Sequence, residues 1–351
     1  MLQKIIFADA ICADLDRWLE NSGKGYDRIF VLTDTTTERL CLPLLQNSKC
    51  LSTASNIVIP PTDTHKNVES LAEVWKSLGT QGATRHSLLI NLGGGMVTDL
   101  GGFAASTFKR GIDFINIPTT LLAMVDAAVG GKTGINFNGF KNEVGVFNES
   151  RAVVVDTSFL RSLDQENLRS GYAEMLKHAL LSSEDMLAEH LNFNLADPDY
   201  PHLQRLVADS IAVKQRVVET DPHEKGIRKA LNLGHTVGHA FESLALELQR
   251  PVLHGYAVAW GLAAELYLSV ALTGFPENKM RQVFHFIREN YGRFDFTCDH
   301  YGKLFEYMMH DKKNVAGVIN FTLLGAVGDI RLDCHAEKAL LEETFDFLRE
   351  N

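Results

Sequence analysis

The most restrictive feature of this chain is residues 88–106, LLINLGGGMVTDLGGFAAS. An apolar run too short for a helix meets three adjacent glycines, Gly93, Gly94 and Gly95. A helical segment follows, carrying Asp99 and the small residues Gly101, Gly102, Ala104 and Ala105. Strand, tight turn and helix in that order is the unit from which parallel α/β sheets are built. The pattern recurs: RIFVL (28–32), SLLINL (87–92), DFINI (113–117) and AVVV (152–155) read as strands, and VESLAEVWKSL (68–78) reads as a helix. Residues 1–158 are therefore expected to form an α/β domain with a largely parallel sheet.

Past that point the period changes. Helical spacing dominates residues 167–290, so residues 159–351 are expected to form a mostly α-helical domain. No Pro- or Ser-rich linker separates the halves, and a cleft between them is the expected ligand site. GYAVAWGLAAELYLSVALTG (255–274) has the length of a membrane span. Glu265 at its centre and small residues all round point instead to a helix buried in a domain. The N-terminal apolar run is broken by Asp9, Asp14 and Asp16, unlike a secretory signal. Cys12, Cys41, Cys50, Cys298 and Cys334 are scattered without a CxxC, which favours a reducing compartment. The formal charge of −10 disfavours a uniformly basic nucleic-acid binder. A soluble cytoplasmic protein is expected, with neither nucleic acid nor membrane as partner.

The glycine turn supports two readings. Adjacent glycines let backbone approach a pyrophosphate at a helix N-terminus, and the same residues make a tight turn with no ligand. The fingerprint G-x-G-x-x-G is not met, because Thr98 holds its third position. Asp34, ending RIFVLTD, is a candidate ribose acid but lies upstream of the glycines. GGKTG (130–134) is not a P-loop, since Asp126 stands where its first glycine belongs.

His235 and His239 share one face if helical, His254 follows, and Glu174 lies three residues before Lys177. Two or three imidazoles and one carboxylate with an open position describe a catalytic zinc site; ordinary buried, hydrogen-bonded histidines are the other reading. Gly234 and Gly238 are expected to clear space around that face. H-E-x-x-H is absent, which disfavours a zincin peptidase. Lys109, Arg110, Lys132, Lys141, Lys177, Lys214, Arg228, Lys312 and Lys313 mostly flank glycine or asparagine. Such turns converge backbone N–H groups and a cation on a phosphate or carboxylate, although each cation singly reads as a solvated surface charge.

Taken in order, the blocks GGGMVTDLGGFAAS, FKRG, IPTTLLAMVDAAVGGKTGIN, KNEVGVF, GYAEMLKH, EKGIRKALNLGHTVGHAFE, LHGYAVAWG and MMHDKKN resemble the successive signatures of 3-dehydroquinate synthases, members of the sugar-phosphate cyclase superfamily. The resemblance runs from Asp34 to Asn314. It implies a Rossmann-like NAD-binding N-terminal domain, a mostly helical C-terminal domain holding a divalent metal (zinc, with cobalt also suited), and a homodimer. The implied metal ligands are Glu174, His235 and His254, with His239 a neighbouring imidazole. The implied NAD contacts are Asp34, Asp63, Lys66, Gly94, Gly95 and Asp99, then Thr119, Thr120, Lys132 and Lys141. Substrate contacts are implied at Asp126, Lys177, Asn232 and His239. Arg110, Lys132, Asn142 and Lys312 are implied for a phosphate, and Lys214 and Arg228 for a carboxylate. In the family, the arginine matching Arg110 reaches into the partner subunit's site.

The implied reaction converts the sugar-acid phosphate 3-deoxy-D-arabino-heptulosonate 7-phosphate to 3-dehydroquinate and phosphate, the second step of the shikimate pathway to aromatic amino acids. NAD oxidises the substrate transiently, phosphate leaves, the hydride returns, and an intramolecular aldol closes the ring. Three positions depart from the family pattern: Tyr256 replaces a usual Glu, His178 a common Tyr, and DTHK before Asn67 a usual GExxK. The rival readings are a metal-dependent polyol dehydrogenase, a cyclase of a neutral-headed sugar phosphate, and a non-catalytic NAD-binding paralogue.

Overall fold

The computed structural model describes residues 3–310 and 319–351. The chain divides into two compact units, Met1–Leu163 and Asp164–Asn351.

The first unit is built from β1 (Lys4–Phe7), α1 (Ile11–Asn21), β2 (Ile29–Asp34), α2 (Thr35–Leu40), β3 (Ser55–Ile59), α3 (Val68–Thr80), β4 (Leu88–Gly93), α4 (Gly95–Thr107), β5 (Asp113–Pro118), β6 (Lys132–Phe137), β7 (Phe140–Phe147) and β8 (Ala152–Val155). Six strands form one parallel sheet in the order β1-β8-β5-β4-β2-β3. The four expected strands are present within two residues of their expected bounds. The two strands not anticipated, β1 and β3, are the sheet's edges and only four and five residues long. β6 and β7 pair antiparallel as a separate hairpin. GGKTG runs into β6 rather than into a helix, the wrong geometry for a P-loop.

One hydrophobic cluster unites Phe30 and Leu32 of β2, Leu89 of β4, and Val97, Leu100 and Phe103 of α4. α4 lies so close to the sheet that a Cβ at Gly101 would stand 2.0 Å from Asn91 Oδ1. The chain leaves β2 for β3 on one side and returns to β4 on the other, so strand order reverses between β2 and β4. In open α/β sheets ligands bind at the carboxyl ends of strands flanking such a reversal. Leu32 pairs with Asn91, and two places further on the same register brings Asp34 level with Gly93.

The second unit contains α5 (Gln165–Leu180), α6 (Glu184–Leu191), α7 (Tyr200–Thr220), α8 (His235–Glu247), α9 (His254–Thr273), α10 (Glu277–Tyr291), α11 (Tyr301–Met309), β9 (Phe321–Ala326), β10 (Asp329–Cys334) and α12 (Lys338–Glu350). It is mostly helical, with one antiparallel hairpin, β9–β10, turning at Gly328 with φ +79°. α9 is the long apolar segment with the length of a membrane span, and 72% of its apolar window is buried inside the protein. It packs against α5, α8, α10, α12 and β9. Crossing this closely requires glycine: a Cβ at Gly255 would lie 1.8 Å from Ser170 O, and one at Gly261 would lie 1.9 Å from Gly234 O.

Candidate active site

Three helices bring Glu174, His235 and His254 together. Glu174 sits in the middle of α5, whose start is capped by Asp164 accepting from Asn167 N. His235 opens α8 and His254 opens α9. His235 Nε2 lies 3.3 Å and His254 Nε2 3.5 Å from Glu174 Oε1. Donor atoms at ~2.0–2.2 Å around a tetrahedral ion stand about 3.4 Å apart, so these spacings fit a metal. Glu174 is fully buried, with Oε2 ion-paired to the Lys177 ammonium and Oε1 facing the two imidazoles.

The imidazoles are oriented through their other nitrogens. His235 Nδ1 is 3.1 Å from Leu233 O, which can only accept, so this nitrogen carries the proton and Nε2 offers a lone pair. His254 Nδ1 faces Glu242 Oε2 at 3.5 Å. Burial works to raise the Glu174 pKa, but the Lys177 ammonium beside it and His235 hold it well below the usual carboxylate range. Burial works against charge on His254, yet Glu174 and Glu242 push its pKa up to about 10. The His239 ring lies 5.3 Å from that of His235 and 5.9 Å from that of His254.

One expectation is corrected here. Gly234 and Gly238 do not open space around the histidine face. A Cβ on Gly238 would stand 2.9 Å from Ala257 O, and one on Gly234 would meet Leu262 at 2.8 Å, so both glycines admit α9.

Lys214 of α7 and Arg228, in the 3-10 turn Ile227–Asn232, are both buried, and that turn packs against α7. Arg228 donates through Nη1 to Pro222 O at 2.7 Å, and its backbone N–H donates to Asp221 at 3.1 Å. Asn232 Nδ2 donates to Glu224 at 3.2 Å. Lys312 lies outside the described residues. The two departures in this unit are packed. Buried His178 pairs its Nδ1 with Ser210 Oγ at 2.7 Å, and the Tyr256 ring meets those of Tyr291 and Trp260 edge-on.

In the first unit, Gly94 caps α4 and Gly95 begins it. A Cβ on Gly94 would meet Thr120 at 3.1 Å, and one on Gly95 would meet Ala127 at 3.2 Å, so the turn is a cradle of bare backbone at a helix N-terminus. Thr119 N donates to Gly93 O at 3.0 Å. Asp34 has a structural task as well: its Oδ1 accepts from Thr36 N and Thr37 N at 2.7 and 2.9 Å, capping α2. Lys66 is buried, with Nζ 2.5 Å from both Asp99 and Asn142 Oδ1. Asp63 faces Lys141 at 3.7 Å and accepts from Asn136. Asp126 is half-buried in the π-helical turn Ala123–Ala127, and Lys132 is exposed at the start of β6. Arg110 is not brought to this cradle. It is exposed just past the far end of α4, about 20 Å of helix from Gly95.

Sequence reasoning assigns no role to two buried carboxylates, Glu242 and Glu265. The first lies seven residues after His235, on the face shared with His239, a spacing visible in the sequence. The second was noticed only as a charge inside an apolar run.

The chain thus carries a parallel α/β unit with a glycine turn and a mostly helical unit with a Glu–His–His cluster. The structure matches a 2-deoxy-scyllo-inosose synthase solved with carbaglucose-6-phosphate, NAD+ and Co2+ (TM-score 0.84, 21% identity, 99% of this chain and 96% of that one). It matches equally a 2-epi-5-epi-valiolone synthase from Streptomyces hygroscopicus with NAD+ and Zn2+ (TM-score 0.84, 23% identity, 100% and 97% covered). A probable glycerol dehydrogenase from Sinorhizobium meliloti shares the fold more distantly (TM-score 0.62, 14% identity, 99% and 97% covered), so fold alone does not separate cyclases from dehydrogenases. Sequence does. Residues 56–170 match the 3-dehydroquinate synthase N-terminal family and residues 171–314 its C-terminal family. The 3-dehydroquinate synthase of Parabacteroides distasonis is 52% identical over 351 residues (99% of this chain, 98% of that one), and that of Thermococcus kodakarensis 37% over 324 (92% and 90%). The chain belongs to the 3-dehydroquinate synthase family.

Proposed function

We propose that this chain converts 3-deoxy-D-arabino-heptulosonate 7-phosphate to 3-dehydroquinate and phosphate, as a cytoplasmic homodimer using NAD catalytically. The unit Met1–Leu163 binds the dinucleotide, and Asp164–Asn351 holds the metal and much of the substrate-binding set. The observation that carries this reading is the Glu174–His235–His254 cluster in a chain of this family, with both Nε2–Oε1 spacings near a tetrahedral edge. Nitrogen and oxygen donors suit zinc, and cobalt equally.

When bound, NAD would supply reversible hydride transfer, and a metal held by Glu174, His235 and His254 would supply Lewis acidity. The chain's own groups do the rest. Glu174 remains a carboxylate at neutral pH because Lys177 compensates its charge in a buried place. The cradle at Gly94 and Gly95 receives the pyrophosphate, with Thr119 and Thr120 at the end of the neighbouring strand. Asp34 receives the ribose, Asp99 is held in place by Lys66, and Asp63 and Lys141 complete that side. Lys214 and Arg228 hold the substrate carboxylate, and Asn232 and Asp126 orient hydroxyls. Lys132, Asn142, Lys312 and the partner subunit's Arg110 hold the phosphate. An imidazole nitrogen of His239 passes protons. Two anions to bind account for this many cations in an acidic chain.

The test is phosphate release by the zinc-loaded protein with substoichiometric NAD. Phosphate in large excess over NAD without lasting NADH absorbance is expected. NADH accumulating with a polyol would move the chain to the dehydrogenases.

A further inference from the structure

Imidazole binds a metal through one nitrogen and must place a proton on the other, so a ligating histidine needs an acceptor behind it. The two histidines of the cluster solve this differently. Behind His235 stands a neutral backbone carbonyl, Leu233 O, at 3.1 Å. Behind His254 stands a carboxylate, Glu242 Oε2, at 3.5 Å from Nδ1, while Nε2 of the same ring faces Glu174. Glu242 is buried on α8, three residues after His239 and seven after His235. A buried carboxylate is costly unless a partner uses its charge.

We propose that Glu242 is a positioning residue. Through Nδ1–H of His254 it fixes the tautomer and the ring plane, and it makes Nε2 the stronger donor of the pair. It touches neither substrate nor metal. This rests on the metal reading above. It makes the site asymmetric: α8 supplies His235 as a ligand on a neutral support and, through Glu242, the charge that strengthens the ligand of α9. His239, Glu242 and His254 also have donor atoms within 4.8 Å of one another, so a rival arrangement exists, in which Glu242 is itself a ligand of a second ion.

The experiment is zinc affinity of the metal-stripped full chain, by competition with a chromophoric chelator, together with the visible absorption spectrum of the cobalt-loaded protein. The parent, Glu174→Ala, Glu242→Gln and Glu242→Ala are compared. Glu242→Ala is expected to bind zinc 10–100-fold more weakly. Glu242→Gln, which keeps an acceptor oxygen and loses the charge, is expected to lose less than tenfold. The cobalt bands shift in both, while NAD affinity stays at the parent value. Zinc binding at parent affinity in both variants overturns the proposal. So does a weakening accompanied by an equal loss of NAD affinity, and so do two cobalt equivalents in the parent, reduced to one in Glu242→Ala. A parent that binds no zinc, or binds it no better than Glu174→Ala, overturns the metal reading and this proposal with it.

Discussion

Glu265 accepts a hydrogen bond from the backbone N–H of Gly234 at 2.6 Å. The same carboxylate accepts from Thr236 N at 3.0 Å and Val237 N at 3.2 Å. Gly234 has no side chain with which to cap α8, so a fully buried residue 31 positions on, in the middle of α9, performs the task. The negative charge sits at the positive end of the helix dipole. His235 is the first residue of that helix, so the cap also fixes a candidate ligand.

Glu265→Ala strands three backbone donors in the interior. A loss of about 2–4 kcal/mol of stability is expected, read as a lower denaturation midpoint of the metal-free chain. Glu265→Gln, which turns one acceptor into a donor facing N–H groups, is expected to fall only a little short of that loss.

His235→Ala and Glu174→Ala each remove one of three candidate ligands. Elemental analysis is expected to show about one metal per parent chain and almost none per variant chain. Phosphate release is expected to fall by three orders of magnitude or more (about 4 kcal/mol of transition-state stabilisation). NAD affinity, measured separately, should stay within a fewfold of the parent, because the glycine cradle lies in the other unit.

Arg110 stands at the opposite end of α4 from the cradle, so a shared site predicts complementation. Arg110→Ala and Glu174→Ala proteins, each inactive alone, should regain about a quarter of parental activity when mixed and reassorted. Half the dimers are then mixed, and each has one intact site of two. No recovery would place Arg110 in its own subunit's site or outside catalysis.

Asp16 gives a pH prediction. Burial favours its neutral form, but Cys50 and Ser48, with the backbone N–H groups of Lys49 and Cys50, outweigh that and lower its pKa to about 2. A depressed folded-state pKa stabilises above the unfolded value of about 3.9 and is lost as pH falls toward 2. Asp16→Asn should therefore cost about 1 kcal/mol near neutrality, since the site is largely solvent-screened. In urea unfolding, its deficit should narrow between pH 4 and pH 3.

Some of this was legible in the sequence, for physical reasons. β4 and β5 are central strands buried on both faces, and central strands write continuous apolar runs. β1 and β3, at the edges, are four and five residues long, too short for their apolar residues to set a period. β7 exposes all eight of its residues, Phe140 and Phe147 among them, so no alternation marks it as a strand. Asp34 looked out of order because the glycines were expected on the first strand of a dinucleotide fold. Strand order shows why it precedes them: the glycine strand is β4, inserted beside β2. Glu174, His235 and His254 stood out because their chemistry is rare in apolar helices. Glu242 and Glu265 did not, because a supporting carboxylate acts through what lies behind it in space, and helical spacing alone carries no record of that.

At Gly261 the crossing of α8 and α9 is a backbone contact: a Cβ there would stand 1.9 Å from Gly234 O and 2.7 Å from Gly238 N. Elsewhere in a core, a drift in one residue is absorbed by the rotamers of its neighbours. Here peptide rests on peptide, and the separation of the imidazoles that open the two helices is fixed by the thickness of the backbone itself. The ligand spacing is thus insulated from ordinary sequence divergence.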